Sequence, residues 1–209
     1  MRTIAKYILI FWIPLISGKT IILDGNLDEP EWESAFVIDE YYEVVPFTLN
    51  PAKVKTTAKI FSNEEGIYVG FINYQENSSM ISNKSLRDEW NANAEQNGVG
   101  IDFDSDGAKA YMFIVTLANI QRDGIRPLGG FPEFDWDGDW EAQTKKHDGF
   151  WVSEFLIPWN VVLMKPETNN KRKINVTPSL TAFTAIPFNT FDKVKVSLVK
   201  LDINFNLSL

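Results

Sequence analysis

Residues 136–159, WDGDWEAQTKKHDGFWVSEFLIPW, hold four of the chain's seven tryptophans. Asp137, Asp139, Glu141, Asp148 and Glu154 stand among them. Three kinds of chemistry use such a set. Aromatic faces cover the C–H surface of a pyranose while its hydroxyls stay hydrogen-bonded at the rim. A pair of carboxylates at a fixed separation hydrolyses a glycoside. Or the rings fill the space between two β-sheets.

Strand alternation sorts these residues. Trp151, Ser153, Phe155 and Ile157 fall on one face, and Val152, Glu154 and Leu156 on the other. With apolar groups on both faces the strand is central and buried, which assigns Trp151 to the core. Trp136 lies beside a turn-like DGD and is the ring placed for ligand contact at the surface. Glu154 on an apolar face needs a partner, because an unpaired buried charge is costly. Arg87 and Arg122 are the candidates for a structural ion pair. The alternative, a glycosidase acid, lacks a second carboxylate that spacing singles out among 28 acidic residues.

DFDSDG, residues 102–107, begins like a calcium loop with Asp102, Asp104 and Asp106 as ligands. Phe113 stands at the twelfth position, where such a loop places a bidentate Glu. The segment therefore reads first as an acid-rich hairpin turn, with a structural calcium ion as the alternative; no cofactor is required. His147, the single histidine, sits in the turn KKHDG, and there is no cysteine. A Ser-His-Asp triad, a His-rich zinc site and a thiol nucleophile are all disfavoured.

The elements that must position these residues are mostly strands. TTAKIFS and GIYVGFINY flank the turn NEEG, GVGIDFD and AYMFIVTL flank SDG, and HDG leads into FWVSEFLIP. DWEAQTK puts Trp140, Ala142 and Thr144 on one face. Asp28 with Glu31, and Pro30 between them, predict a short helix over 29–35. Residues 75–97 and 118–135 are polar loops long enough to carry a site. The class is all-β, an antiparallel β-sandwich with one short N-terminal helix.

The 209 residues, 44% apolar and 13% aromatic, can bury a sizeable core. A net charge of −8 argues against nucleic acid as a partner. Arg2 and Lys6 accompany the ten-residue apolar run YILIFWIPLI, the pattern of an export signal and too short to span a bilayer as a helix. From Val199 to Leu209 apolar and polar residues alternate strictly, which suits a half-buried strand or one strand of an outer-membrane barrel.

IILDGNLDEPEW, AKIFSNEEGIYVGF, RDEW, IDFDSDGAKAYMFIV, QRDG and WDGDWEAQTKKHDGFWVSEFLIP follow one another in a telling order. Together they resemble the N-terminal domain, classed with the family 9 carbohydrate-binding modules, of bacterial envelope proteins that also carry an outer-membrane β-barrel. The resemblance spans about residues 20–160. It implies a β-sandwich, sugar binding, an association with carbohydrate breakdown, and bound calcium in some members. It also implies two aromatic rings around a terminal sugar, with polar side chains reading its hydroxyls. Carried onto this sequence, the ligand-binding residues are Arg87, Trp90, Glu95, Gln96 and Trp136.

The sequence departs from that pattern. Where the binding modules read Trp-Glu-Gln-Asp, this chain has Ala94, Glu95, Gln96 and Asn97. After Pro158 the expected Trp-Gly strand and Arg-rich stretch are missing, and the barrel-like portion looks truncated. The expected division is a signal peptide over 1–18, the sandwich over 19–165 and barrel-like remnant strands over 166–209. The expected function is non-catalytic carbohydrate binding in the periplasm or at the outer membrane, linked to carbohydrate catabolism. A structural or gating domain of a barrel protein is the second reading, and a glycoside hydrolase the third.

Overall fold

The computed structural model describes residues 21–43, 48–89 and 93–163, and the backbone of 173–179. The strands are β1 (Phe36–Ile38), β2 (Lys55–Ser62), β3 (Gly66–Tyr74), β4 (Gln96–Asp102), β5 (Lys109–Thr116), β6 (Gln121–Pro127), β7 (Glu141–Lys146), β8 (Phe150–Pro158) and β9 (Lys173–Ser179). They form two antiparallel sheets, in the orders β1-β2-β3-β8-β7 and β6-β5-β4-β9. The antiparallel sandwich read from the sequence is thus the architecture observed. β9 falls in the segment expected as barrel-like remnant, and here it pairs with β4. The alternating run 199–209 and the apolar run 7–16 lie outside the described residues.

Hairpin chemistry sets the register. Asn63 accepts hydrogen bonds from the N–H groups of Glu65 and Gly66, closing the turn between β2 and β3. Ile67, Val69 and Phe71 of β3 and Phe155 and Ile157 of β8 then face the second sheet, fully buried against Val99, Ile101, Phe113 and Val115. Trp140 joins the layers: it stacks on Phe155 with centroids 5.7 Å apart and meets Phe113 edge-on at 5.4 Å. A hydrogen-bonded chain also crosses the interior. Thr56 donates to Asn73, Asn73 and Asn97 exchange amide bonds, and Ser153 donates to Asn97, all four residues being buried.

The outer face of β3 and β8 is buried too, because residues 21–35 lie across it. Trp32, Ile21 and Ala35 pack there on Tyr68 and Leu156. The short helix expected over 29–35 is instead a single 3-10 turn, Pro30–Glu33. Its N-cap is Glu29, whose side chain makes no capping bond. Glu29 Oε1 accepts from the backbone of Ile22 instead, and Trp32 is driven into the sheet, so capping loses to packing.

This segment also supplies the partner of Glu154, which is neither Arg87 nor Arg122. One carboxylate oxygen accepts the N–H groups of Asp24 at 2.9 Å and Gly25 at 2.5 Å. The turn fits closely: Gly25 has φ +79, and a Cβ there would lie 2.3 Å from Lys145 Cβ. His147, expected in a solvated turn, hydrogen-bonds through Nε2 to the Gly25 carbonyl at 2.9 Å and stacks on Phe150.

Trp151 is 1% exposed, in a cluster with Met80 and Leu117, as the alternation requires. Trp136 departs from its surface assignment. It is half-buried, with Tyr111 at 4.9 Å and Phe113 at 5.8 Å, both edge-on. Its truncation to alanine is therefore expected to destabilise the fold by about 2 kcal/mol, not by the few tenths of a free surface ring. Urea unfolding of Trp136→Ala checks this, and a midpoint matching the parent's would return the ring to the surface.

Candidate functional site

Two Arg-Asp dipeptides organise the site. Arg87-Asp88 lies in the loop before β4, and Arg122-Asp123 lies in β6. Residues on β6 alternate in direction, so Asp123 faces the interior and Arg122 the opposite side. Asp123 is wholly buried. Its Oδ1 receives Arg87 Nη2 at 2.9 Å, while its Oδ2 receives the Gly138 N–H at 2.7 Å and Trp140 Nε1 at 3.0 Å. Its backbone N–H donates to Asp88 Oδ1 at 3.2 Å. One buried carboxylate therefore ties together the loop before β4, the edge strand β6 and the loop before β7. Burial raises its pKa, the hydrogen bonds from Gly138 and Trp140 and the Arg87 charge oppose that rise, and Asp88 adds to it.

Around this anchor the outward groups are held in place. Arg87 also donates to Gln121 Oε1 at 2.8 Å and lies 3.3 Å from Asp137 Oδ1 and 3.4 Å from Asp88. The Arg87 side chain is 41% exposed and that of Asp137 78% exposed, so both present polar atoms to solvent. Asp88 takes φ +62 to turn its carboxylate inward. Arg122, on the other side of β6, donates to Gln96 Oε1 at 2.6 Å and to the Glu89 carbonyl at 3.2 Å, and burial lowers its pKa.

Asp88, Asp123 and Asp137 bring carboxylate oxygens within 4.8 Å of one another, and no other such trio occurs among the described residues. The Arg87 guanidinium already bridges all three. An ion there would have to displace it, so this trio is a clamp closed on one guanidinium. Asp102, Asp104 and Asp106 are not gathered into a comparable group. Asp102 Oδ2 accepts the Gly107 N–H and Asp106 Oδ1 accepts the Ala108 N–H, as in a hairpin turn.

The five residues expected to bind ligand separate. Arg87 and the loop carrying Trp136 are drawn together through Asp123 and Asp137. Gln96 joins them through Arg122 and Glu89. Glu95 is 3% exposed, and its backbone pairs with Ile81 and Leu117. Trp90 lies outside the described residues. Ala94, where the resembled modules carry a ring, is 1% exposed and bridges to Ser82. Asn97, where they carry an acid, is the centre of the inter-sheet amide chain. Sequence reasoning missed Asp123 and Gln121; the signal available was the second Arg-Asp pair, in QRDG.

No protein-family model matches the sequence, and neither does any curated protein. Solved structures do match. A family 9 carbohydrate-binding module from Caldicellulosiruptor kristjanssonii, determined with glucose, aligns with a TM-score of 0.52 and 13% identity, over 75% of this chain and 72% of that one. A protein described as a candidate carbohydrate-binding protein, from Bacteroides uniformis, aligns with a TM-score of 0.55 and 9% identity, over 70% of this chain and 72% of that one. The chain shares the fold of these modules.

Proposed function

We propose that the chain is a non-catalytic carbohydrate-binding domain of the bacterial cell envelope, acting alongside carbohydrate breakdown, with its ligand held at the Arg87 clamp. The observation that carries this is the convergence of two loops on buried Asp123, which fixes Arg87, Gln121 and Asp137 as partly exposed donors and acceptors beside the half-buried ring of Trp136. Fixed polar groups next to aromatic surface are what recognition of a polyol needs. The neighbours of the same fold, one of them determined with glucose, support the same reading. Export is supported by the basic start and apolar run.

A second reading, a structural domain of a barrel protein without a sugar site, is favoured by one observation: Ala94 fills its position with a buried methyl, not a ring.

The two readings part in one experiment. Protein recovered from an envelope fraction is expected to begin near residue 19 and to bind one or more of a panel of neutral oligosaccharides in calorimetric titration. Asp137→Ala, at a site 78% exposed, should leave the unfolding midpoint unchanged while weakening binding roughly tenfold, the loss of one good hydrogen bond. No binding to any sugar, or equal binding by the variant, would reject the clamp as the ligand site.

A further inference from the structure

Two buried carboxylates hold the same short stretch of backbone where residues 21–35 cross β8. Glu154, from the sheet, accepts through Oε2 from the N–H groups of Asp24 and Gly25. Glu29, from the segment itself, accepts through Oε1 from the N–H of Ile22 at 3.2 Å. Glu154 is wholly buried and Glu29 is 5% exposed. The second oxygen of each, Glu154 Oε1 and Glu29 Oε2, is buried and has no hydrogen-bond partner. Two sealed carboxylates that converge on one stretch, each with an unpaired oxygen, are costly unless a proton or a cation lies between them.

The charged groups around the pair supply no cation. Opposite Glu154 on β3 is Gly70, and next to it on the same face is Tyr68, whose hydroxyl donates to Glu65. Opposite Glu154 on β7 is Gln143, flanked by Glu141 and Lys145. Lys145 Nζ donates to Asn26 Oδ1, Lys59 Nζ of β2 donates to the Trp32 carbonyl, and His147 hydrogen-bonds to the Gly25 carbonyl. The segment carries Asp24, Asp28, Glu29, Glu31 and Glu33, and of these the charges of Glu29 and Asp24 act on Glu154. No ion pair among the described residues includes Glu29 or Glu154. A metal ion is poorly served too. No third acid or histidine gathers with these two among the described residues, and their burial leaves no side open for the waters that would complete its shell.

A proton fits. In neutral Glu154 two N–H groups occupy Oε2, so the hydroxyl lies at Oε1 and needs an acceptor. Glu29 Oε2 is a buried acceptor left over on the same stretch. Glu31 Oε2 is unpaired as well, but its charge is not among those acting on Glu154. We propose that Glu29 and Glu154 share one proton, donated by Glu154 Oε1 to Glu29 Oε2, and that it latches residues 21–35 to the sheet. When the proton leaves to solvent, two carboxylates repel beneath one stretch of backbone, and the segment lets go before the rest of the fold opens.

Carboxyl-carbon NMR titration and amide exchange of the full chain test this. The Glu154 carboxyl is expected to titrate near the alkaline value its burial sets, about 8. Glu29→Gln turns an amide N–H toward Glu154 and should lower that midpoint by about one pH unit or more. Asp24→Asn removes the other nearby charge, which is exposed and bonded to Asn26, and should lower it by less than about half a unit. At pH 9 the amides of Ile22, Asp24 and Gly25 should exchange about tenfold faster or more in the parent than in Glu154→Gln, whose amide keeps both halves of the latch. At pH 6 the two proteins should match, and at pH 9 the amides of Val69 and Phe155 should differ less. Equal midpoint shifts from Glu29→Gln and Asp24→Asn, or none from Glu29→Gln, would remove the shared proton. Exchange rising by one factor at the segment and the core alike would remove the latch. Calcium chloride that saturably lowers the Glu154 midpoint would put a cation, not a proton, between the two oxygens and overturn the proposal.

Discussion

Asp123→Ala is expected to lower the stability of the fold by about 3–5 kcal/mol, and to loosen both loops that meet on it. The side chain is wholly buried and satisfies three donors at once: Arg87 Nη2, the Gly138 N–H and Trp140 Nε1. Alanine leaves the indole N–H of Trp140, 4% exposed, with no acceptor. Arg87 is partly exposed and can recover water, so the cost comes chiefly from the buried donors and the cavity. Asp123→Asn keeps an acceptor and most of the volume and should cost clearly less. Urea unfolding gives both numbers, and proteolysis within 84–89 or 135–140 reports the loops. An alanine variant within 1 kcal/mol of the parent would mean that the clamp is not held by this carboxylate.

The second large effect depends on pH. Glu154 is wholly buried, and burial pushes its carboxyl up to about 8 from an ordinary value of 4.5; the N–H groups of Gly25 and Asp24 oppose the rise, and the charges of Glu29 and Asp24 add to it. Between these values the folded protein holds a proton that the unfolded chain has released. Raising the pH through that window therefore favours unfolding, and the penalty is complete above pH 8. The loss from this group is of order 5 kcal/mol, taking 1.36 kcal/mol for each pH unit of the difference. Glu154→Gln keeps the oxygen that accepts from Asp24 and Gly25 and does not titrate. Its stability should match the parent's near pH 5 and exceed it by a few kcal/mol at pH 9. Asp123, also raised, titrates in both proteins and cancels in the comparison. Unfolding curves of parent and variant at pH 5, 7 and 9 decide the matter; parallel pH profiles would show that Glu154 is ionised throughout.

The strands were legible because their signals are local. NEEG, SDG and HDG stand where three hairpins turn, and the alternation in FWVSEFLIP separated the Phe155 face from the Leu156 face correctly. What failed was non-local. The partners of Glu154 are backbone N–H groups some 130 positions away, and a backbone donor has no letter of its own in a sequence. The same holds for Gly138 on Asp123. The capping pattern at Asp28 and Glu31 suggested a helix, yet burial of Trp32 against Tyr68 decided the local geometry. Trp136 was misplaced because an acidic, glycine-containing turn looks solvated in sequence, while Tyr111 and Phe113, which it packs against, lie on another strand.

The exchanged amide bonds between Asn73 and Asn97 have a consequence for redesign. Replacing Asn97 by aspartate would put a carboxylate where exposure is nil, and would remove the donor that Asn73 Oδ1 now receives. Asn97 is an alignment pin between two layers, and the pin has two halves. Any attempt to rebuild the Trp-Glu-Gln-Asp pattern in this scaffold must therefore change Asn73 together with Asn97, because neither half can be exchanged while the other still depends on it.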